Sequence, residues 1–262
     1  VTATAVSRRP QTARARPFLE RLTRGARIYL ATPRLRGLLA LNMAAAAAGA
    51  FVIVNTVVVV RSGYAAGDTE VAQALAAFGG GSMLAALSLP RLLDRLPDRM
   101  VMVAAAAMLG ALTMVHALWM IGDGLLPWSG FLAVWAASGM LYSAILTPSG
   151  RLLRRSAHSE DRPAVFAAQF ALSHACWLVT YPLAGWAGEA FGMGAAMVIL
   201  GVLALAASIL ALFVWPAGDP SEIAHEHPDL PPDHPHLQGV HGRRHRHVFV
   251  IDDEHRVWPT HG

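Results

Sequence analysis

The chain has 262 residues, 55% of them hydrophobic and only 15% charged, with a formal net charge of +4 at pH 7. A soluble domain carries about 25% charged residues, and here the charges are segregated as well: the stretches 37–60, 71–90, 100–122, 124–150, 163–188 and 190–218 hold no Asp, Glu, Lys or Arg. That pattern excludes an ordinary soluble fold, whose helices carry charged outer faces. All 21 basic residues are Arg and they sit beside the apolar stretches, which argues against a nucleic-acid partner.

In chain order, residues 1–36 read as a basic cytoplasmic linker. The chain begins with Val rather than Met, which suggests a fragment or an alternative start codon, and no signal peptide is visible. Phe18, Leu19, Leu22, Ile28, Tyr29 and Leu30, set among Arg21, Arg24 and Arg27, predict a short amphipathic helix on the membrane surface. Thr32-Pro33 is expected to break it. Residues 37–216 then supply six charge-free segments, each long enough to cross the ~30 Å hydrocarbon layer as a helix. Barrel strands are excluded, because nothing alternates polar with apolar. Gly79, Gly80 and Gly81 in the second span mark either a close helix approach or a flexible point. Pro148 is expected to end or kink the fourth span and Pro182 to kink the fifth.

The arginines predict the orientation. Nine precede the first span, three lie between the second and third, four between the fourth and fifth, and four in the tail, against Arg61 alone in the alternate loops. Cytoplasmic loops accumulate Arg, so the expectation is a multi-pass protein of a bacterial cytoplasmic (inner) membrane, with both termini in the cytoplasm. Trp119, Trp128, Trp186 and Trp215 fall near span ends, where indoles mark the lipid–water interface.

Polar residues within spans are costly and are default functional candidates. The first span carries Asn42 and Asn55, the third His116, the fourth Tyr142 and Ser143, and the fifth Gln169, Ser173, His174, Trp177, Thr180 and Tyr181. Helical spacing puts 169, 173, 177 and 180 on one face and 170, 174, 177 and 181 on the adjacent one. Asn42, Asn55, Gln169, His174, Trp177 and Tyr181 are therefore the substrate-cavity candidates. His174 lies near mid-membrane, where an imidazole either exchanges protons or stays neutral and bonds between helices. The span interiors hold no carboxylate.

The loop between the second and third spans reads Leu92-Leu93-Asp94-Arg95-Leu96-Pro97-Asp98-Arg99. Together with the basic linker and the six spans, it makes residues 15–216 resemble the C-terminal half of a major facilitator superfamily transporter. Asp94, Arg95 and Arg99 match the family's G-x-x-x-D-R-x-G-R-R/K loop, while Pro90, Pro97 and Asp98 depart from it. The resemblance implies an all-α membrane protein with a six-helix half-bundle, and a charge network tying helix ends together in the cytoplasm. It further implies a small-molecule or ion substrate bound between two halves. The working unit would therefore need an N-terminal half or a second copy, in a lipid bilayer and without nucleic acid.

The tail, 217–262, holds nine of the twelve His residues amid Pro and Asp and reads as a disordered, His-rich cytoplasmic segment. His247 to Ile251 suggests one short strand or docking segment. His225, His227, His234 and His236 form two H-x-H pairs that offer imidazole ligands to Ni, Zn, Co or Cu, although no cofactor is required; the alternative is a merely soluble, pH-sensitive tail. Two functions follow. One is a secondary transporter, an exporter of small molecules or metal ions coupled to an ion gradient by alternating access. The other is a membrane-anchored metal-binding or regulatory half-protein working through its tail. An enzyme is not expected: there is no Gly-x-Ser-x-Gly, HExxH or P-loop motif, and adjacent Ser173 and His174 diverge on a helix.

Overall fold

Six helices long and apolar enough to cross a membrane make up the body of the protein in its computed structural model, which describes residues 18–220, 222–226 and 244–259. The spans run Pro33–Gly63, Asp68–Leu93, Asp98–Gly122, Trp128–Arg155, Arg162–Phe191 and Met193–Val214. A linker helix, Phe18–Ala31, precedes them. It ends where the sequence predicts, because Thr32 is extended (φ −91°, ψ 115°) and Pro33 occupies the first turn of the next helix, where its missing N–H costs nothing. Pro148 also acts as expected. The fourth span is helical over Trp128–Leu146, breaks at Thr147-Pro148 and resumes over Ser149–Arg155. The fifth span remains helical through Pro182.

The first span lies at the centre, packed on the fifth and sixth, while the second packs on the fourth and the third on the sixth. Apolar lipid gives helices no hydrophobic reason to associate, so close approach of small residues carries the packing. At the seam between the second and fourth spans this is reciprocal. A Cβ on Gly81 would collide with the Ala136 carbonyl, and one on Gly139 with the Phe78 carbonyl. Close approach is thus the role of Gly81, whereas Gly79 and Gly80 have nothing within 4 Å.

The first span contains two widened π-helical stretches, Phe51–Asn55 and Val59–Gly63. At the end of the first stretch, Asn55 Nδ2 donates to the Ala184 carbonyl of the fifth span at 3.1 Å, and Trp135 Nε1 of the fourth span donates to Thr56 Oγ1 at 2.9 Å. The distortion coincides with the point where three spans are pinned together.

The linker, the second and fourth loops and the tail share one end of the bundle, joined by ion pairs. The other loops meet at the opposite end, where the Tyr64 hydroxyl donates to the Leu126 carbonyl at 2.7 Å. Trp119 and Trp186 are exposed at the bundle surface. Trp215 departs from expectation: it is fully buried, because Gly37 leaves room for its side chain against the first span.

Within the tail, β1 (Glu222–Glu226) pairs antiparallel with β2 (Arg244–Val248). The strand expected at 247–251 begins earlier, and Phe249, Val250 and Ile251 instead bury beyond its end. Trp258 stacks under the Arg34 guanidinium at 5.0 Å.

Candidate functional site

A cavity of about 400 Å³ opens between the first, fourth and fifth spans. The first span contributes Asn42, the fourth Tyr142 and Ser149, and the fifth Gln169, Ser173, His174 and Trp177. Its walls hold amides, hydroxyls, an imidazole and an indole, and among these lining residues no carboxylate. Such a surface can hydrogen-bond a polar solute and stack on its flat or cationic parts.

Three of these polar groups are held by hydrogen bonds outside the cavity. Asn42 is buried and its Nδ2 donates to the Leu38 carbonyl at 2.9 Å. His174 is exposed, with Nδ1 donating to the Phe170 carbonyl at 2.7 Å, so Nε2 carries its lone pair. Gln169 Oε1 accepts from the Tyr29 hydroxyl of the linker helix. Tyr29 is fully buried, and burial pushes its phenol up, which keeps it a neutral donor. The rings of Phe78, Tyr142, Trp177 and Tyr181 run side by side along the second, fourth and fifth spans, with centroids 5.6, 6.3 and 4.9 Å apart in turn.

The sequence candidates therefore divide. Asn42, Gln169, His174 and Trp177 share the cavity, and Tyr181 adjoins it through the Trp177 ring. Asn55 lies elsewhere, bonded to the fifth-span backbone. His116 is buried beside Phe131 and Trp135, with ring centroids 6.2 and 5.6 Å away. Ser149 was not among the candidates. It sits just past the Pro148 break, at the start of the resumed helix.

At the arginine-rich end, Asp94 and Arg95 remain exposed. The ion pair between these stretches runs from Asp98, which is buried, to Arg151, which the Asp94 charge also favours, while Arg99 Nε donates to the Trp215 carbonyl at 2.8 Å and so ties the second loop to the end of the sixth span. The residue that departs from the loop motif thus carries its ion pair. Arg24 of the linker is buried and clasps Asp161 at 2.5 and 2.9 Å and Asp253 of the tail at 2.5 Å. The hydrogen-bonded Asp161 carboxylate is the largest influence and raises the Arg24 guanidinium above its ordinary value, against the opposing effect of burial. Arg34 is buried beside Asp219, which also pairs with Arg155. Of the tail candidates, His225 lies on β1, and His227, His234 and His236 lie outside the described residues.

A profile of the Major Facilitator Superfamily matches residues 38–250, from the first span through the tail's second strand. No curated protein and no solved structure matches the chain.

Proposed function

The chain belongs to the major facilitator superfamily of membrane transporters, and from that premise we propose that it is half of a secondary transporter that exports a small molecule or metal ion from the bacterial cytoplasm across the inner membrane, driven by an ion gradient. The observation that carries this reading is the polar and aromatic cavity between the first, fourth and fifth spans, in which Asn42, Gln169, His174 and Trp177 converge from two helices. These residues contact the solute, His174 through its imidazole. The arginine-rich end, with both termini, is cytoplasmic. A second six-helix unit, from the same polypeptide or another copy, closes the cavity and supplies any carboxylate a cationic solute needs, since alternating access works between two such units.

The test is transport in everted membrane vesicles with a pH-sensitive dye, using a panel of divalent metal ions and organic cations. Solute-dependent proton movement is expected, reduced about tenfold in Gln169→Leu and His174→Ala, the size of one or two lost polar contacts. Inserted protein that moves no member of the panel, or variants that move it as fast as the parent, would overturn the reading. Deleting residues 217–262 separates this from the regulatory half-protein reading, in which the tail is the working part: export by the truncated chain favours the transporter.

A further inference from the structure

Three imidazoles from separate stretches of the tail meet at the arginine-rich end: His225 on β1, His247 on β2 and His255 in the following turn. One ring nitrogen from each lies within 4.8 Å of the other two, and the Nε2 atoms of His225 and His255 are 2.9 Å apart. Nitrogen ligands about 2.0 Å from a tetrahedral zinc ion stand about 3.3 Å from one another, so the trio needs only small adjustment to close around one ion.

The proton positions strengthen this. His225 Nδ1 faces the Ile223 carbonyl at 3.0 Å, His247 Nδ1 the Val248 carbonyl at 2.8 Å, and His255 Nδ1 the Asp252 carboxylate at 3.0 Å. Carbonyl and carboxylate oxygens only accept, so each Nδ1 donates outward, which leaves Nε2 as the nitrogen that the neutral ring offers to a metal. The Nε2 atoms of His225 and His255 thus face each other across 2.9 Å, on the side of the rings where one ion would be shared. Metal-binding histidines are held in the same way, with the outer N–H given to a carbonyl or carboxylate.

Asp252 is itself fixed. Its Oδ1 accepts from the backbone N–H groups of Glu254 at 2.9 Å and His255 at 2.7 Å, and its Oδ2 lies 3.3 Å from His158 Nε2 of the fourth loop. A polar cavity of about 710 Å³, lined in part by His158, Glu160 and Glu254, reaches His247 and His255 and gives solvent or a fourth ligand access.

We propose that His225, His247 and His255 form a tris-imidazole site for a divalent transition metal of the zinc class, with Asp252 as the positioning carboxylate. The site differs from the His225/His227 and His234/His236 pairs singled out in the sequence, sharing only His225 with them. An ion there fastens β1 and β2 to the 252–255 turn, whose Asp253 holds the linker through Arg24.

The experiment is metal binding to the full chain in detergent, using Zn2+ in competition with a chromophoric chelator and Co2+ for its visible absorption. One tight ion per chain and the intense Co2+ bands of a tetrahedral nitrogen site are expected. His225→Ala, His247→Ala and His255→Ala should each weaken binding at least tenfold, and Asp252→Asn by about 10- to 100-fold. His234→Ala/His236→Ala should leave the tight site intact. Tight binding that survives replacement of all three ligands, loss of binding only in the 234/236 variant, or a weak octahedral Co2+ spectrum in the parent would each overturn the site. Because the parent spectrum reads coordination directly, the proposal stands or falls even if a variant misfolds.

Discussion

Two polar regions of the transmembrane body obey the same rule with opposite results. At the seam of the first, fourth and fifth spans, Asn55 and Thr56 are buried, Asn55 donating to Ala184 and Thr56 accepting from Trp135, both of neighbouring spans. On the cavity wall, Gln169 and His174 are held by bonds to Tyr29 and Phe170 yet still line open space. A polar side chain in a span is therefore glue when its partner lies on another span, and a candidate contact for a solute when its anchor leaves a face toward a cavity. The distinction depends on helix packing and not on residue type.

Breaking the seams should cost stability, and changing the wall should cost function. The largest loss is expected from Gly139→Leu, whose side chain has nowhere to go but into the Phe78 carbonyl. It should destabilise the protein by more than about 3 kcal/mol, seen as loss of monodisperse protein in detergent. Arg151→Gln comes next, because it strips the partner from the buried Asp98 carboxylate; a loss of roughly 1–3 kcal/mol should appear as a lower melting temperature, and Arg151→Lys should restore part of it. Asn55→Leu should cost about 1 kcal/mol by the same melting assay, with transport of the surviving protein little changed. His174→Ala should leave melting within about 0.5 kcal/mol of the parent while slowing transport. If Asn55→Leu abolished transport without lowering the melting temperature, or His174→Ala unfolded the protein, the division between seam and wall would fail.

The sequence makes some of this visible for local reasons. A bilayer demands about 20 apolar residues in a row, so the six spans stand out without knowledge of any contact. Thr32-Pro33 and Pro148 break helices through their own backbones, and both breaks appear where expected. The alternation of arginine-rich and arginine-poor loops likewise matches the two ends of the bundle. What the sequence hides depends on distant partners. Gly81 is distinguished from Gly79 and Gly80 only by the carbonyl of Ala136 opposite it. Asp98 reads as a flaw in a loop motif until Arg151 arrives from another loop. The trio at 225, 247 and 255 has no common spacing, because strand pairing and a turn bring it together, whereas the H-x-H pairs are conspicuous merely because one residue separates their members.

Arg24 links three parts of the chain that are remote in sequence. A basic linker is ordinarily pictured as a slack tether, free to pay out as the parts it joins move. With its guanidinium clamped between Asp161, at the start of the fifth span, and Asp253 of the tail, this linker is a fastened strut. Any rocking of the fifth span, and with it the wall that bears Gln169 and His174, must carry the linker and the tail along or tear a buried ion pair apart.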